Sequence, residues 1–445
     1  MHYFLYPTKD TTISNDPSYM FKNMGLDEIL EVEKRISVNS CSSTSTFPVL
    51  ISYTSSSIEL LSGSLSASYE SGSTDSNIVS SSYRLVSGEV SAGSVLSRAL
   101  LQFDLSNISS SIVCNKIVNP RFYLVLKTCE SKEVPVKYTL AAYPISQSWG
   151  MGSGYKYDGQ AASDGTNWKF VDGFSEKWTT GSLTDCSGGG VWWISASLLG
   201  SGSGYAQPPY NNPYNPFPNC EDHYVPPATS SYIAPVTGGY TCTQSFDYQT
   251  SDVRMDVTPI VEAWLTSGIE NNGLIVLHSD ESSSIDYGKL RFFSKETNTI
   301  YSPYIDVAWA DAIIETGSAD PIQLRDAVVN MKNLAKEYKH GSILRMDVTS
   351  RKRYPQKTFT NKLSEYLTPY YLPSSSFYSI KDAETEDSVL PYDEYTRLSF
   401  DSYGNYFMLD TTGLPQERYY KVEIRSEQSG SITTFTVPTA FKISR

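Results

Sequence analysis

Hydrophobic and polar residues alternate with period two in short runs along most of the chain, and Gly, Ser, Asn and Pro separate the runs. The clearest runs lie at 28–34, 49–53, 99–104, 121–127, 137–143, 274–278, 289–294 and 304–309. Strands of this length that bury one face pack as antiparallel layers, which predicts a sandwich or jelly roll. One segment breaks the pattern. Thr258 can cap a helix, Pro259 suits its first position, Val261, Trp264 and Leu265 share a face, and Gly268 ends the turn. Two long irregular stretches, at about 40–93 (Ser-rich) and 185–248 (Gly-Ser and Pro-Tyr-Asn runs), read as insertions. Loops of that length inside a domain are usually functional or form interfaces.

A boundary falls near 311–320. Beyond it, 342–348 alternates through Ile343, Arg345 and Asp347, and further runs follow at 377–380, 397–400, 406–410, 419–425 and 432–437. The expected fold is therefore all-β. A large jelly-roll-like β-sandwich with insertions and one short helix covers 1–310, and a smaller immunoglobulin-like β-sandwich covers 321–445. The second lacks the paired cysteines and buried Trp of antibody domains, so its likeness to them is architectural.

Composition narrows the class. The 445 residues carry 48 Asp and Glu against 35 Lys and Arg, a formal charge of −13, while 13% are aromatic, including 33 Tyr. Disorder does not fit that aromatic content. The acidic balance argues against nucleic acid, whose binding rests on Lys and Arg replacing counterions. The basic run Arg351-Lys352-Arg353 reads instead as a salt-bridging or interface patch. No run is apolar for long enough to span a membrane. The first ten residues lack a basic region followed by an apolar stretch, so no signal peptide is expected and synthesis is expected to end in a cytoplasm. Six scattered cysteines without a CxxC pair then read as free thiols, and four His give no zinc spacing.

Nothing in the sequence forms a catalytic signature: GxSxG, HExxH and the P-loop are all missing. The expectation is a non-enzyme. Two carboxylates at glycosidase spacing leave no motif, so hydrolysis of a polysaccharide stays open as a third reading. His278, at the end of an apolar strand, reads as a strand-end or core residue. Trp149, Trp168, Trp178, Trp192 and Trp193 cluster in or beside Gly-rich loops, where aromatic faces can pack on sugar rings or on the sandwich itself. The expected contact or glycan-binding residues are Trp178, Trp193, Tyr205, Tyr210, Tyr214 and Tyr224, with the other Trp residues as core or loop anchors. Asp158, Asp164 and Asp172 share one loop region and offer the hard oxygens calcium takes, without an EF-hand spacing. Solvated loop acids are the alternative, and no other cofactor is expected.

Several segments, in order, resemble one family. Lys9 to Ile13, Asn23-Met24-Gly25 through Val32, Arg98-Ala99-Leu100-Leu101-Gln102-Phe103-Asp104-Leu105, Tyr143 to Trp149, Asp164-Gly165-Thr166-Asn167-Trp168, Asp256 to Trp264 with Asn271-Asn272-Gly273-Leu274, and Leu290 to Ser294 are similar to the DNRLRE-type domain. That family implies a β-sandwich of surface and secreted proteins, related to carbohydrate-binding modules. This chain departs from it in lacking a signal and in its two long insertions. The segment from Tyr371 to Glu384, with Gly404 to Asp410, resembles structural proteins of contractile-tailed phages of marine bacteria. Phage particles assemble in the cytoplasm and leave by lysis, which would reconcile the composition with the missing signal. The resulting expectation is a virion structural protein, made in the host cytoplasm, that contacts other virion proteins and copies of itself. The alternative is a carbohydrate-binding adhesion module for a host-surface or extracellular glycan.

Overall fold

The computed structural model describes residues 1–37, 93–113, 117–158, 164–173, 176–178, 188–195, 198–201, 240–248, 251–265, 269–314, 321–354 and 370–445, and two short strands, Leu65–Ala67 and Tyr83–Leu85. The protein is all-β, with sheets that are mostly antiparallel and two α-helices among the described residues.

An eight-stranded sheet dominates the first unit. Its order is Cys242–Asp247, Lys137–Pro144, Leu274–His278, Gly93–Phe103, Ile29–Ser37, Gly288–Phe293, Thr128–Lys132, with Pro7–Ser14 also pairing to Gly93–Phe103. A four-stranded sheet of His2–Leu5, Tyr304–Ala308, Arg121–Leu126 and Val253–Asp256 faces it. Leu30, Val32, Ala99, Leu101, Leu274, Val276, Leu290 and Phe292 fill the space between, against Phe122, Leu124, Leu126, Ile305 and Val307. The odd-and-even alternation along each strand sets which side chain enters this core. Leu100, Ile275 and Leu277 point the other way, yet they too are buried, under a second apolar cluster. That double burial is why 99–101 and 274–277 read as continuous apolar runs rather than alternating ones.

The predicted helix is Thr258–Leu265, with Ile260, Val261 and Trp264 in the core. Its cap differs from expectation. Asp256 Oδ1 accepts the Thr258 amide at 2.9 Å, whereas the Thr258 hydroxyl accepts from the Phe122 amide of the adjacent strand. A second helix, Ser106–Val113, was not predicted. Its Ser-rich sequence is a poor helix former, but Ile108 is 2% exposed in the core and Asp104 accepts from the Ser106 amide at 3.0 Å.

The second unit packs a four-stranded sheet (Ala327–Lys332, Ile343–Lys352, Gly404–Asp410, Ser399–Asp401) on a six-stranded one. The latter runs Glu337–Lys339, Phe441–Ser444, Tyr419–Gln428, Ser376–Asp382, Ser388–Leu390, with Ser431–Thr436 pairing to Tyr419–Gln428. Met346, Val348, Tyr378, Ile380, Phe407, Val422 and Phe441 form its core, and Tyr378 stacks on Phe407 at 4.0 Å between ring centroids.

The strand His2–Leu5 belongs to both units. It hydrogen-bonds to Tyr304–Ala308 in the first sandwich, while the Phe4 ring lies in the second core against Tyr304 and Gly413. A Cβ at Gly413 would come within 2.4 Å of Phe4 Cδ2, so only glycine lets the ring seat there. Beside it, the His2 imidazole lies between Asp306 Oδ1 of the first unit (2.8 Å from Nδ1) and Asp393 Oδ1 of the second (3.3 Å from Nε2). Burial alone would lower the His2 pKa, but hydrogen bonds to the two carboxylates raise it overall. Arg254 reaches the other oxygens of both acids, at 3.1 Å and 3.4 Å.

Candidate functional site

The outer face of the large sheet carries the region in which sequence placed most candidate residues. Ile13, Leu96, Leu100, Ile275 and Leu277 present an apolar surface there, and loop residues Trp149, Trp168 and Trp178, with Trp192 of the strand Val191–Ser195, cover it. Each indole is seated by a hydrogen bond or a charge. Trp149 Nε1 donates to Asn272 O at 2.8 Å, and Trp178 Nε1 donates to Asn167 O at 3.0 Å. Arg98, itself buried, lies over the rings of Trp168 (4.8 Å) and Trp192 (5.4 Å). Its guanidinium pairs through Nε with Glu281 Oε1 at 3.0 Å, through Nη2 with Glu281 Oε2, and through Nη1 with the Gly189 carbonyl. A bidentate carboxylate is what allows a charge to sit under this layer.

Trp178 is therefore a correction. It was expected to meet a ligand or neighbour, but its side chain is 1% exposed, held under the loop layer by its own indole hydrogen bond. Trp193 is half-buried on the strand Val191–Ser195 and does not join Trp178 in a common exposed face. Trp149, Trp168 and Trp192 act as the anchors they were expected to be. Tyr205, Tyr210, Tyr214 and Tyr224 lie outside the described residues.

The three loop acids go to separate partners. Asp158 Oδ2 accepts from the Tyr155 amide at 3.0 Å, Asp164 accepts from the Ser153 hydroxyl at 3.0 and 3.1 Å, and Asp172 Oδ1 accepts from the Gly165 amide at 2.8 Å. The structure does not bring them together, and no cluster of three His, Cys, Asp or Glu that could hold a metal occurs among the described residues. Asp158 and Asp172 stabilise turns here by taking backbone N–H groups, and Asp164 takes a side-chain hydroxyl instead.

A different aromatic group faces solvent at the rim of the layer. Lys156 turns inward, with Nζ paired to Glu31, and its amide donates to Asp27 at 3.2 Å. Burial would raise the Glu31 pKa, but Lys156 and Lys289 hold it below its ordinary value. With Lys156 anchored, Tyr155 and Tyr157 on either side turn outward, 48% and 75% exposed. Tyr19 meets Tyr157 edge-on at 6.2 Å, and Lys22 Nζ donates to the Asp158 carbonyl at 2.6 Å beneath them. Sequence reasoning missed this group. Its signal was the Tyr-Lys-Tyr alternation inside a Gly-Ser loop, which is readable only once Lys156 is known to be the inward residue.

His278 ends its strand buried between Tyr138 and Tyr287, stacked on the latter at 5.2 Å. Burial, with the nearby Lys34 charge, lowers its pKa to about 3. Neither ring nitrogen has a hydrogen-bond partner among the described residues, and a neutral imidazole enclosed in this way is not poised for acid–base work near neutral pH.

No family model matches the chain, and no curated protein matches it. Among solved structures it is similar to a DUF4785 family protein from Legionella pneumophila subsp. pneumophila str. Philadelphia 1, at 11% identity and a TM-score of 0.17. The match covers 74% of this chain and 62% of that one, so the chain spans less than two thirds of its neighbour's length. No helix among the described residues is long and apolar enough to cross a membrane.

Proposed function

We propose that this chain is a non-enzymatic structural component of a tailed phage particle and works through protein–protein contacts. One observation carries the reading: the two sandwiches are joined through a shared strand, with Phe4 of His2–Leu5 seated in the second core and His2 and Arg254 holding acids of both units. A part that passes load between neighbours needs its domains fixed, and a buried aromatic with a paired ionic cluster fixes them where a bare linker would leave them to move. The resemblance of the segments around Tyr371 and Gly404 to phage structural proteins supports the same reading. Its test is antibody-gold electron microscopy on a lysate of the source culture. Label at one fixed locus on the particles is expected; label on cell envelopes with bare particles would overturn the proposal.

Exposed Tyr155 and Tyr157, with half-buried Tyr19 edge-on to Tyr157, favour one second reading, the binding of a glycan. Tyrosine faces stack on the apolar side of a sugar ring, while hydroxyls and loop carbonyls meet its polar edge. If that reading is right, Tyr155→Ala with Tyr157→Ala abolishes retention on host-surface polysaccharide while leaving the melting temperature unchanged. Retention equal to the parent chain would remove it.

A further inference from the structure

The hairpin at the end of the second sandwich leaves an unusual sheet edge. Tyr419–Gln428 and Ser431–Thr436 are joined by Ser429-Gly430, whose φ values of +50° and +77° give the tight two-residue turn that suits a twisted hairpin. In such a hairpin the residues flanking the turn, Gln428 and Ser431, exchange both backbone hydrogen bonds, and every second pair after them does the same. The Val437 amide donating to Val422 O at 3.0 Å fits that phase. Ile432, Thr434 and Thr436 consequently turn their N–H and C=O groups away from Tyr419–Gln428. Among the described residues no strand pairs with that outer edge. All three side chains are exposed, Ile432 by 64%.

Natural sheets protect such edges with charges, prolines or very short strands. The edges at Thr128–Lys132, Glu337–Lys339 and Ser399–Asp401 carry charged residues, and Ser388–Leu390 has three residues before Pro391. Ser431–Thr436 has six residues, no charge and no proline, in a chain of net charge −13.

We infer that this edge pairs antiparallel with the same edge of a second copy of the chain, about a two-fold axis at Thr434. Self-pairing is the arrangement this sequence fits. Thr434 meets its own counterpart, Ile432 meets Thr436, and no charge is set against its like, which a two-fold would do to any charged residue on the axis. β-Branched residues occupy all three outward positions, the type that packs best across strands. Each of these residues supplies one donor and one acceptor, and the two six-stranded sheets join edge to edge. The inference rests on the hairpin geometry alone and is independent of where the chain resides.

Sedimentation velocity on the full chain tests it. The parent chain is expected to sediment as a dimer at ~50 μM and to dissociate on dilution. Thr434→Pro removes a donor that faces the edge and leaves the intrachain ladder intact, so it is expected to be a monomer with an unchanged far-UV circular dichroism spectrum. Thr434→Lys sets two charges on the axis and is expected to give the same result if the proline disturbs the strand. Thr434→Cys is expected to form a new disulfide-linked dimer on mild oxidation, because Cα atoms of such a pair lie about 5.5 Å apart. Thr436→Cys is expected to form none. A parent chain that stays monomeric, a dimer untouched by both Thr434→Pro and Thr434→Lys, or cross-linking at Thr436 instead of Thr434 would each overturn the proposal.

Discussion

Asp10 sits on the strand Pro7–Ser14 with 1% exposure, and its Oδ2 accepts the Lys295 amide at 2.5 Å. Burial pushes its carboxyl up to about 7, outweighing the Lys295 amide and charge, which pull it down. A carboxyl raised in the folded state favours folding below its unfolded value of 3.8, and that contribution is lost as pH rises through about 7. Asp10→Asn keeps an acceptor for Lys295 and carries no charge. It is expected to stabilise the chain by about 1–3 kcal/mol at about pH 8 and to give no gain near pH 4, as read by urea unfolding at the two pH values. Trp178 belongs to the same scale. Trp178→Ala is expected to cost about 3–5 kcal/mol in the same assay, because it empties a site beneath the loop layer; a loss within about 0.5 kcal/mol would mean the ring is not part of the core.

The loop layer depends on a few backbone conformations. Gly188, Gly189 and Gly190 all have positive φ, from +71° to +90°, and the chain passes over Trp168 and Arg98 there. A Cβ at Gly189 would lie 2.6 Å from Arg98 Nη1 and 2.8 Å from Trp168 Cζ2. Gly189→Ala combines a strained φ with two clashes in a packed layer. It is expected to destabilise by about 2–4 kcal/mol and to raise the exposure of Trp168 to acrylamide quenching. Strands were legible in the sequence wherever alternation or an apolar run exceeded the noise of neighbouring loops: 274–278 coincides with the observed strand, and 137–143 stops one residue short. Thr128–Lys132 and Ala327–Lys332 were missed, the first because it is a polar edge and the second because Val328, apolar at an outward position, masks its alternation. The helix Ser106–Val113 escaped for a different reason, since tertiary burial of Ile108 overrides its poor local propensity. Trp149, Trp168 and Trp192 were legible as anchors, but the inward seat of Trp178 was not. The seat of Trp178 is the Asn167 carbonyl, and Arg98 is neutralised by Glu281, a residue 183 positions away in sequence.

At the scale of the whole molecule, two cores share one strand. The buried residues of the two large hydrophobic clusters fall on either side of 311–320 apart from Phe4. Nothing in the pattern of residues 2–5 marks them as the joint, because Phe4 is a plain strand residue until a second domain closes over it. Of the expected contact residues, Trp178 is corrected by its burial. A large aromatic side chain offers much apolar area to a core, and the fold takes Trp178 inside, whereas Tyr155 and Tyr157 are turned out by the inward anchoring of Lys156.

The account stands on the two sandwiches behaving as one stiff body. Scanning calorimetry on the intact chain measures that directly. Phe4 in the second core and the His2, Arg254, Asp306 and Asp393 cluster predict a single transition whose calorimetric and van 't Hoff enthalpies agree. Two resolved transitions in the parent chain, unchanged by Phe4→Ala, would show that the units unfold independently and would contradict it.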